Sequence, residues 1–322
     1  MVNNMKVLLG ILIVVAGFAY FVIQQQSPDQ AAEHSALVPE WQSQPEAVSQ
    51  ISRVVLSQNG ETMELTKAQD HWILNGGFYA NMEPLFSLLQ SMKNARIVEV
   101  KTANPENHQR LDLADDDLRV SLYKGDELVK AVQLGKAGTA GTQFVRMAEE
   151  DQTYLVEGLK PVVFNEDSWT LKTVLNIPAE QINAVQIRPH EDKPFKVTRN
   201  PEDNQWDIQP LDEQEQLKDG VSPEVLSQGL TRLMIESAEQ VDVSALTPVV
   251  TLDYALVDGS SIQLNVYQQA DDYQLNISGS QWSHYEPWLM TIAEYKFTAL
   301  NKTLSDFTEL KTEPLTIEEE GE

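Results

Sequence analysis

An α+β fold is predicted for this 322-residue chain: an N-terminal transmembrane helix, then two tandem, related modules of mainly antiparallel sheet with packed helices. Three observations carry it. An apolar run opens at Val7, after Lys6, and closes at Ile23. Downstream, strand-like segments are joined by short turns, with only two helical patterns per module, whereas a doubly wound parallel sheet needs a helix after nearly every strand. Finally, the order of elements that begins at Ile51 is met again from Ile182.

The run at 7–23 spans about 25 Å as a helix, the short end of what a bilayer core needs. Its Gly10, Ala16, Gly17 and Ala19 are residues that membrane helices accept. Lys6 and the amino terminus flank one side, and Gln24 to Gln26, Ser27, Pro28 and Asp29 the other. The positive-inside rule then keeps the N-terminus in the cytoplasm and exports the rest, as in a single-pass protein of the bacterial inner membrane with a periplasmic C-terminal domain. A cleaved signal peptide is the competing reading, with Gly17 and Ala19 as a small-x-small pair. Tyr20 to Ile23 carry the apolar run past that point and favour an uncleaved anchor at 1–24.

Residues 25–48, rich in Gln, Ser, Ala, Pro and Glu and with Trp41 as their one large apolar side chain, read as a flexible stalk. The first module, 49–178, opens on a strand with Ile51, Val54 and Leu56, and crosses a turn to a second strand at 63–66. The run Trp72-Ile73-Leu74 follows, then a helix capped by Asn81 with Leu85, Leu88, Leu89 and Met92 on one face. A short strand ends at Val100, a hairpin turns at Lys124-Gly125-Asp126, and a closing helix runs from Leu159 through Trp169 to Leu175. The second module, 179–310, matches it with Ile182, Val185 and Ile187, a strand at 195–198, and Trp206-Asp207-Ile208. Ser222 and Pro223 start a helix with Leu226, Leu230, Leu233 and Met234 inward. A strand ends at Val243, a hairpin turns at Asp258-Gly259, and a closing helix runs from Tyr285 through Trp288, Ile292 and Leu300 to Phe307. Residues 311–322, with Glu318, Glu319, Glu320 and Glu322, form an acidic disordered tail.

Composition narrows the function classes. The formal charge of −26, from 49 acidic and 23 basic residues, opposes nucleic acid and anionic headgroups, which are bound through Lys and Arg clusters. The absence of cysteine removes disulfides, lipid acylation and thiol chemistry together. The chain is 42% hydrophobic, enough for two modules to hold ordinary cores.

No catalytic, cofactor-binding or metal-ligating constellation is read. The stretch from Leu134-Gly135-Lys136 to Gly141-Thr142 has the wrong order for a P-loop and is followed by a strand, so it reads as a hairpin connection. No two of the five histidines have the spacing that points two ligands at one metal, and His190-Glu191-Asp192 between prolines reads as a turn. Ser278-Gly279-Ser280 lacks the glycine pattern of a nucleophile elbow. The candidate interaction residues are Arg146, a lone cation in Phe144-Val145-Arg146-Met147, and the tryptophans Trp169 and Trp288 on the closing helices. Cross-strand pairing competes for the arginine, and core packing for the tryptophans.

Within 51–187 the chain carries, in order, Trp72-Ile73-Leu74, Leu111-Asp112-Leu113, Leu134-Gly135, Gly141, Phe144-Val145-Arg146, Tyr154-Leu155-Val156 and Trp169, with a weaker echo in the second module. This order of marks resembles the family called domain of unknown function 4340. The resemblance implies a single-pass exported protein encoded beside ABC transporter components similar to those of gliding-motility systems. It implies an accessory role beside permease and ATPase subunits, and no catalytic residue. Two functions stand at this stage: a non-catalytic accessory subunit or binding module, and an envelope hydrolase acting on glycan or peptide through a facing carboxylate pair with one pKa raised by burial.

Overall fold

The computed structural model describes residues 35–270 and 272–311. They fall into two compact units that part between Leu171 and Lys172, earlier than the 178–179 boundary expected from sequence. The expected anchor at 1–24 lies outside the described residues, as does the tail from 312 onward. Among the described residues no helix is long and apolar enough to cross a membrane.

The first unit begins with helix α1 (Glu40–Ser43) and a 3-10 turn (Pro45–Gln50). Strands β1 (Arg53–Gln58), β2 (Glu61–Ala68) and β3 (His71–Leu74) follow, then helix α2 (Met82–Asn94) and β4 (Arg96–Val100). After a long loop come β5 (Arg119–Lys124), β6 (Glu127–Ala137), β7 (Thr142–Met147), β8 (Thr153–Glu157) and the one-turn helix α3 (Glu166–Trp169). The strands form one antiparallel sheet in the order β3-β2-β1-β5-β6-β7-β8-β4. Its core is lined by alternate strand residues such as Val54, Leu56, Val120 and Val145, with Leu85, Leu88 and Met92 of α2 packed against them. Asn81 caps α2 as its sequence position predicts, its side chain accepting from the Glu83 N–H at 3.1 Å.

The stalk reading fails from Ser35 onward. Leu37, Val38 and Trp41 are buried in this core, with Trp41 only 1% exposed, and the chain there bonds to β4 through Leu37 N–H to Ala95 O and Ile97 N–H to Ser35 O. Polar composition hid three apolar side chains whose partners lie far along the sequence.

The second unit holds β9 (Thr173–Leu175), β10 (Ile182–Pro189), β11 (Phe195–Arg199), β12 (Trp206–Gln209), β13 (Glu215–Leu217) and β14 (Leu233–Met234). It continues with β15 (Ser237–Gln240), β16 (Val250–Leu256), β17 (Ser261–Gln269), β18 (Asp272–Ser278), β19 (Trp288–Thr291), helix α4 (Glu294–Leu300) and β20 (Thr308–Leu310). Its large sheet runs β12-β11-β10-β16-β17-β18-β19-β15, the order of the first sheet strand for strand. The register agrees as well. Val54 faces Leu65 and Leu56 faces Met63, as Val185 faces Val197 and Ile187 faces Phe195. Trp72 and Trp206 take the same place on the outermost strand. Beside the large sheet, β9 pairs with β14, which puts residues 173–175 in this unit, and β13 pairs with β20.

Three expected helices are shorter than the sequence suggests. The counterpart of α2 is a 3-10 helix (Pro223–Leu230) capped by Ser222; Leu233 is buried on β14 and Met234 is 40% exposed. Val225, Gly229 and Thr231 weaken this segment relative to Met82–Asn94, and Arg232 turns left-handed at φ 46°. The closing helices reduce to α3 and α4. Pro161 with Val162 and Val163 keeps the chain before Asn165 non-helical, and Pro287 blocks a helix across Tyr285, so Trp288 lies on a strand. The strand expected to end at Val243 ends at Gln240, and Val243 sits in a 3-10 turn.

Register also explains a replacement inside the second core. Leu122 faces Val54, and the matching residue facing Val185 is Tyr254. Its hydroxyl is buried without a hydrogen-bond partner, burial pushes its pKa up, and it reaches Gly229, where a Cβ would lie 2.1 Å away. Tyr254→Phe is therefore expected to raise stability by about 1 kcal/mol, by removing an unsatisfied hydroxyl. Gly229→Ala is expected to cost about 2 kcal/mol, through overpacking, with much of that loss recovered in the Tyr254→Phe background. Urea midpoints of the four proteins measure both effects; additive losses would refute the contact.

Candidate functional site: a cationic groove on the first unit

The loop between β4 and β5 runs over 101–118, twice the length of its counterpart at 241–249 between β15 and β16. Its conformation is fixed by buried polar groups from the sheet. Arg146 on β7 is 4% exposed and donates from Nε to the Leu113 carbonyl at 3.0 Å, from Nη1 to the Glu150 carbonyl at 3.2 Å, and from Nη2 to Asp115 at 2.7 Å. Gln133, its cross-strand neighbour on β6, donates to the Ala114 carbonyl at 3.0 Å. His108 is buried with Nε2 at 2.8 Å from the Asp151 carbonyl; a carbonyl only accepts, so Nε2 carries the proton. At the loop's start, Thr153 Oγ1 accepts from the Thr102 N–H and donates to the Thr102 carbonyl.

Gly135 lets this loop close onto the sheet. A Cβ there would lie 2.3 Å from the Leu111 carbonyl oxygen and 2.9 Å from the Leu113 side chain. Asp112, between them, takes the left-handed conformation at φ 55°. Leu111-Asp112-Leu113, Leu134-Gly135 and Phe144-Val145-Arg146 thus meet at one node, though they are scattered in sequence.

The node forms one wall of an open groove of about 660 Å³. Val100, Leu111 and Phe144 give it apolar surface, while Lys101, Arg110 and Lys136 give it charge. Lys101 Nζ is held 2.5 Å from Glu99. Arg110 and Lys136 are exposed, and among the described residues neither has a carboxylate partner. Two unpaired cations in one groove are a marked local reversal in a chain of formal charge −26. The groove can hold an anion; it presents no nucleophile placed beside a base.

The second unit does not repeat it. The position matching Arg146 is Asn276, also buried, whose Nδ2 donates to the Glu286 and Trp288 carbonyls at 2.9 Å instead of to a long loop. The groove of about 480 Å³ on this unit is lined by Glu180, Val225, Gln228 and Lys296. Lys296 lies 3.5 Å from the Thr231 carbonyl, and partial burial pulls its pKa down. A third groove, on the first unit, carries Glu61, Glu166 and Asp167, all exposed. Among the described residues no group of three or more His, Asp or Glu could hold a metal.

All three residues singled out from sequence are interior. Trp169 is 2% exposed, its indole N–H bonded to the Val163 carbonyl, and Trp288 is 7% exposed. Arg146 shapes the groove from behind. No motif in the sequence marks Lys101 or Arg110, and Lys136 reads only as part of a hairpin connection; the fold alone unites them.

Two antiparallel sheets of matching topology, with a cationic groove built on one, define an α+β protein. The chain belongs to the family described as domain of unknown function (DUF4340), which it matches over residues 72–253. That span begins in β3 and ends in β16, so it contains the whole groove and reaches further into the second unit than the marks within 51–187. No curated protein and no solved structure matches the chain.

Proposed function

We propose that this chain is a non-catalytic accessory subunit or binding module of an envelope ABC transporter complex, held in the inner membrane by residues 7–23 with both units on the periplasmic side. The observation that carries the reading is the groove. On the first unit the duplicated scaffold carries the long 101–118 loop, and this elaboration yields an exposed, partly apolar, cationic surface. Surfaces of this kind bind. The transporter as partner rests on the family resemblance alone, as does the periplasmic address together with the apolar run.

The hydrolase alternative draws less support. Its best location is the groove with Glu61, Glu166 and Asp167, whose exposed carboxylates lack the buried, facing arrangement that acid and base chemistry on a glycan or peptide requires.

Mild detergent extraction of the tagged full-length protein from native membranes, with mass spectrometry of what co-purifies in stoichiometric amount, tests the proposal. Permease and ATPase subunits are the expected companions. A bare, monodisperse protein would overturn it.

A further inference from the structure

We propose that the cationic groove of the first unit is a recognition site for an extended acidic polypeptide segment, bound through carboxylates by Arg110 and Lys136 with its apolar side chains on Phe144. The inference rests on reading the chain as a binding module and names the chemistry of its partner. Charge comes first. Glu99, also lining the groove, pairs with Lys101, which leaves Arg110 and Lys136 as its cations without a carboxylate partner among the described residues. At about 0.15 M salt the screening length is about 8 Å, so the charges that line the groove weigh more in what it attracts than acidic surface farther away. A guanidinium matches a carboxylate with two parallel hydrogen bonds.

The donor set favours carboxylate over phosphate. Phosphate sites use free backbone N–H groups at helix starts or nests. Of the residues lining the groove, four have their N–H groups engaged: Lys101 N–H goes to Thr153 O, Thr102 N–H to the Thr153 side chain, Asn107 N–H to Asn104 O and Leu111 N–H to His108 O. Shape favours a chain over a small molecule. The groove is open to solvent, whereas small-ligand pockets bury most of the ligand. Apolar lining from Val100, Leu111 and Phe144 together with the two cations suits an extended segment that carries both acidic and apolar side chains.

The test uses the full-length protein in detergent at about 0.15 M salt, where local charge dominates. Fluorescence anisotropy follows a labelled short peptide of alternating glutamate and leucine, with polyphosphate as a competing probe. The variants are Arg110→Glu with Lys136→Glu, and Lys193→Glu with Lys196→Glu on the second unit, which changes net charge equally. All four residues are exposed, so the fold is retained. The expected result is peptide binding by the wild type and the control, and at least about tenfold weaker binding by the groove variant. Equal binding by all three proteins, or none by the wild type, overturns the proposal. Groove-dependent binding of polyphosphate without the peptide overturns the polypeptide assignment. The same variants in the membrane extraction separate the two readings: companions retained by the groove variant leave the accessory role standing and remove this site from it, while groove-dependent peptide binding by a protein that extracts alone does the reverse.

Discussion

Gly135→Ala is expected to destabilise the first unit by about 3 kcal/mol and to abolish the cationic groove. The new Cβ would stand 2.3 Å from the Leu111 carbonyl oxygen, which is backbone and cannot rotate away. Relief requires the loop to lift, and lifting it strains the bonds that Arg146 makes to Leu113 and His108 makes to Asp151. Gly141 is the comparison. Its φ of 77° strains any other residue, yet nothing lies within 4 Å of a Cβ there, so Gly141→Ala should cost only about 1 kcal/mol. Urea denaturation of both variants measures the difference, and equal losses would contradict the account of the node.

Arg146→Met is the second large effect, at about 3 kcal/mol. The substitution leaves the buried Leu113 carbonyl without its donor and the Glu150 carbonyl without its own, at about 1–3 kcal/mol for such a group. Its ion pair contributes little, because the Asp115 side chain is 94% exposed and solvent screens it. Asp115→Asn should therefore change stability by less than about 0.5 kcal/mol. Arg146→Lys keeps the charge, loses the planar fork and should fall nearer to methionine than to wild type. A large loss with Asp115→Asn would show that the ion pair, and not the backbone bonds, holds the loop.

Features written in local pattern were legible in the sequence. The alternation at Val54 and Leu56, the Asn81 cap before α2, and the turns at Gly125 and Asp258-Gly259 all depend on neighbours close in sequence. Matching Val54 and Leu56 to Val185 and Ile187 worked because strand register preserves spacing even where identities are lost, whereas Ile51 precedes β1 and a register shift follows Ile182. What failed depended on distant partners. Trp41 looked like a stalk residue because nothing near it in sequence predicts the core that covers it. The helix after Ser222 looked like α2 until Gly229 and the Tyr254 beneath it are considered together.

The candidate site divides along the same line. Arg146 was noticed as a lone cation, and its burial shows that it supports the groove without touching what the groove would hold. Lys101, Arg110 and Lys136 carry no motif, and nothing in their separate contexts marks them. They become a site only when Gly135 admits the 105–113 loop to the sheet beside β7. A residue pattern that looks like family punctuation, leucines and a glycine before a strand, is in physical terms the requirement for that close approach.

Partner binding is expected on the groove of the first unit and not on the matching scaffold of the second. Photocrosslinking in native membranes tests it most directly, with a benzophenone amino acid at Ala103, exposed beside the groove, or at Val225, exposed on the second unit. One defined protein adduct is expected from position 103 and none from position 225. An adduct from 225 alone, or co-purifying partners with no adduct from 103, would contradict it.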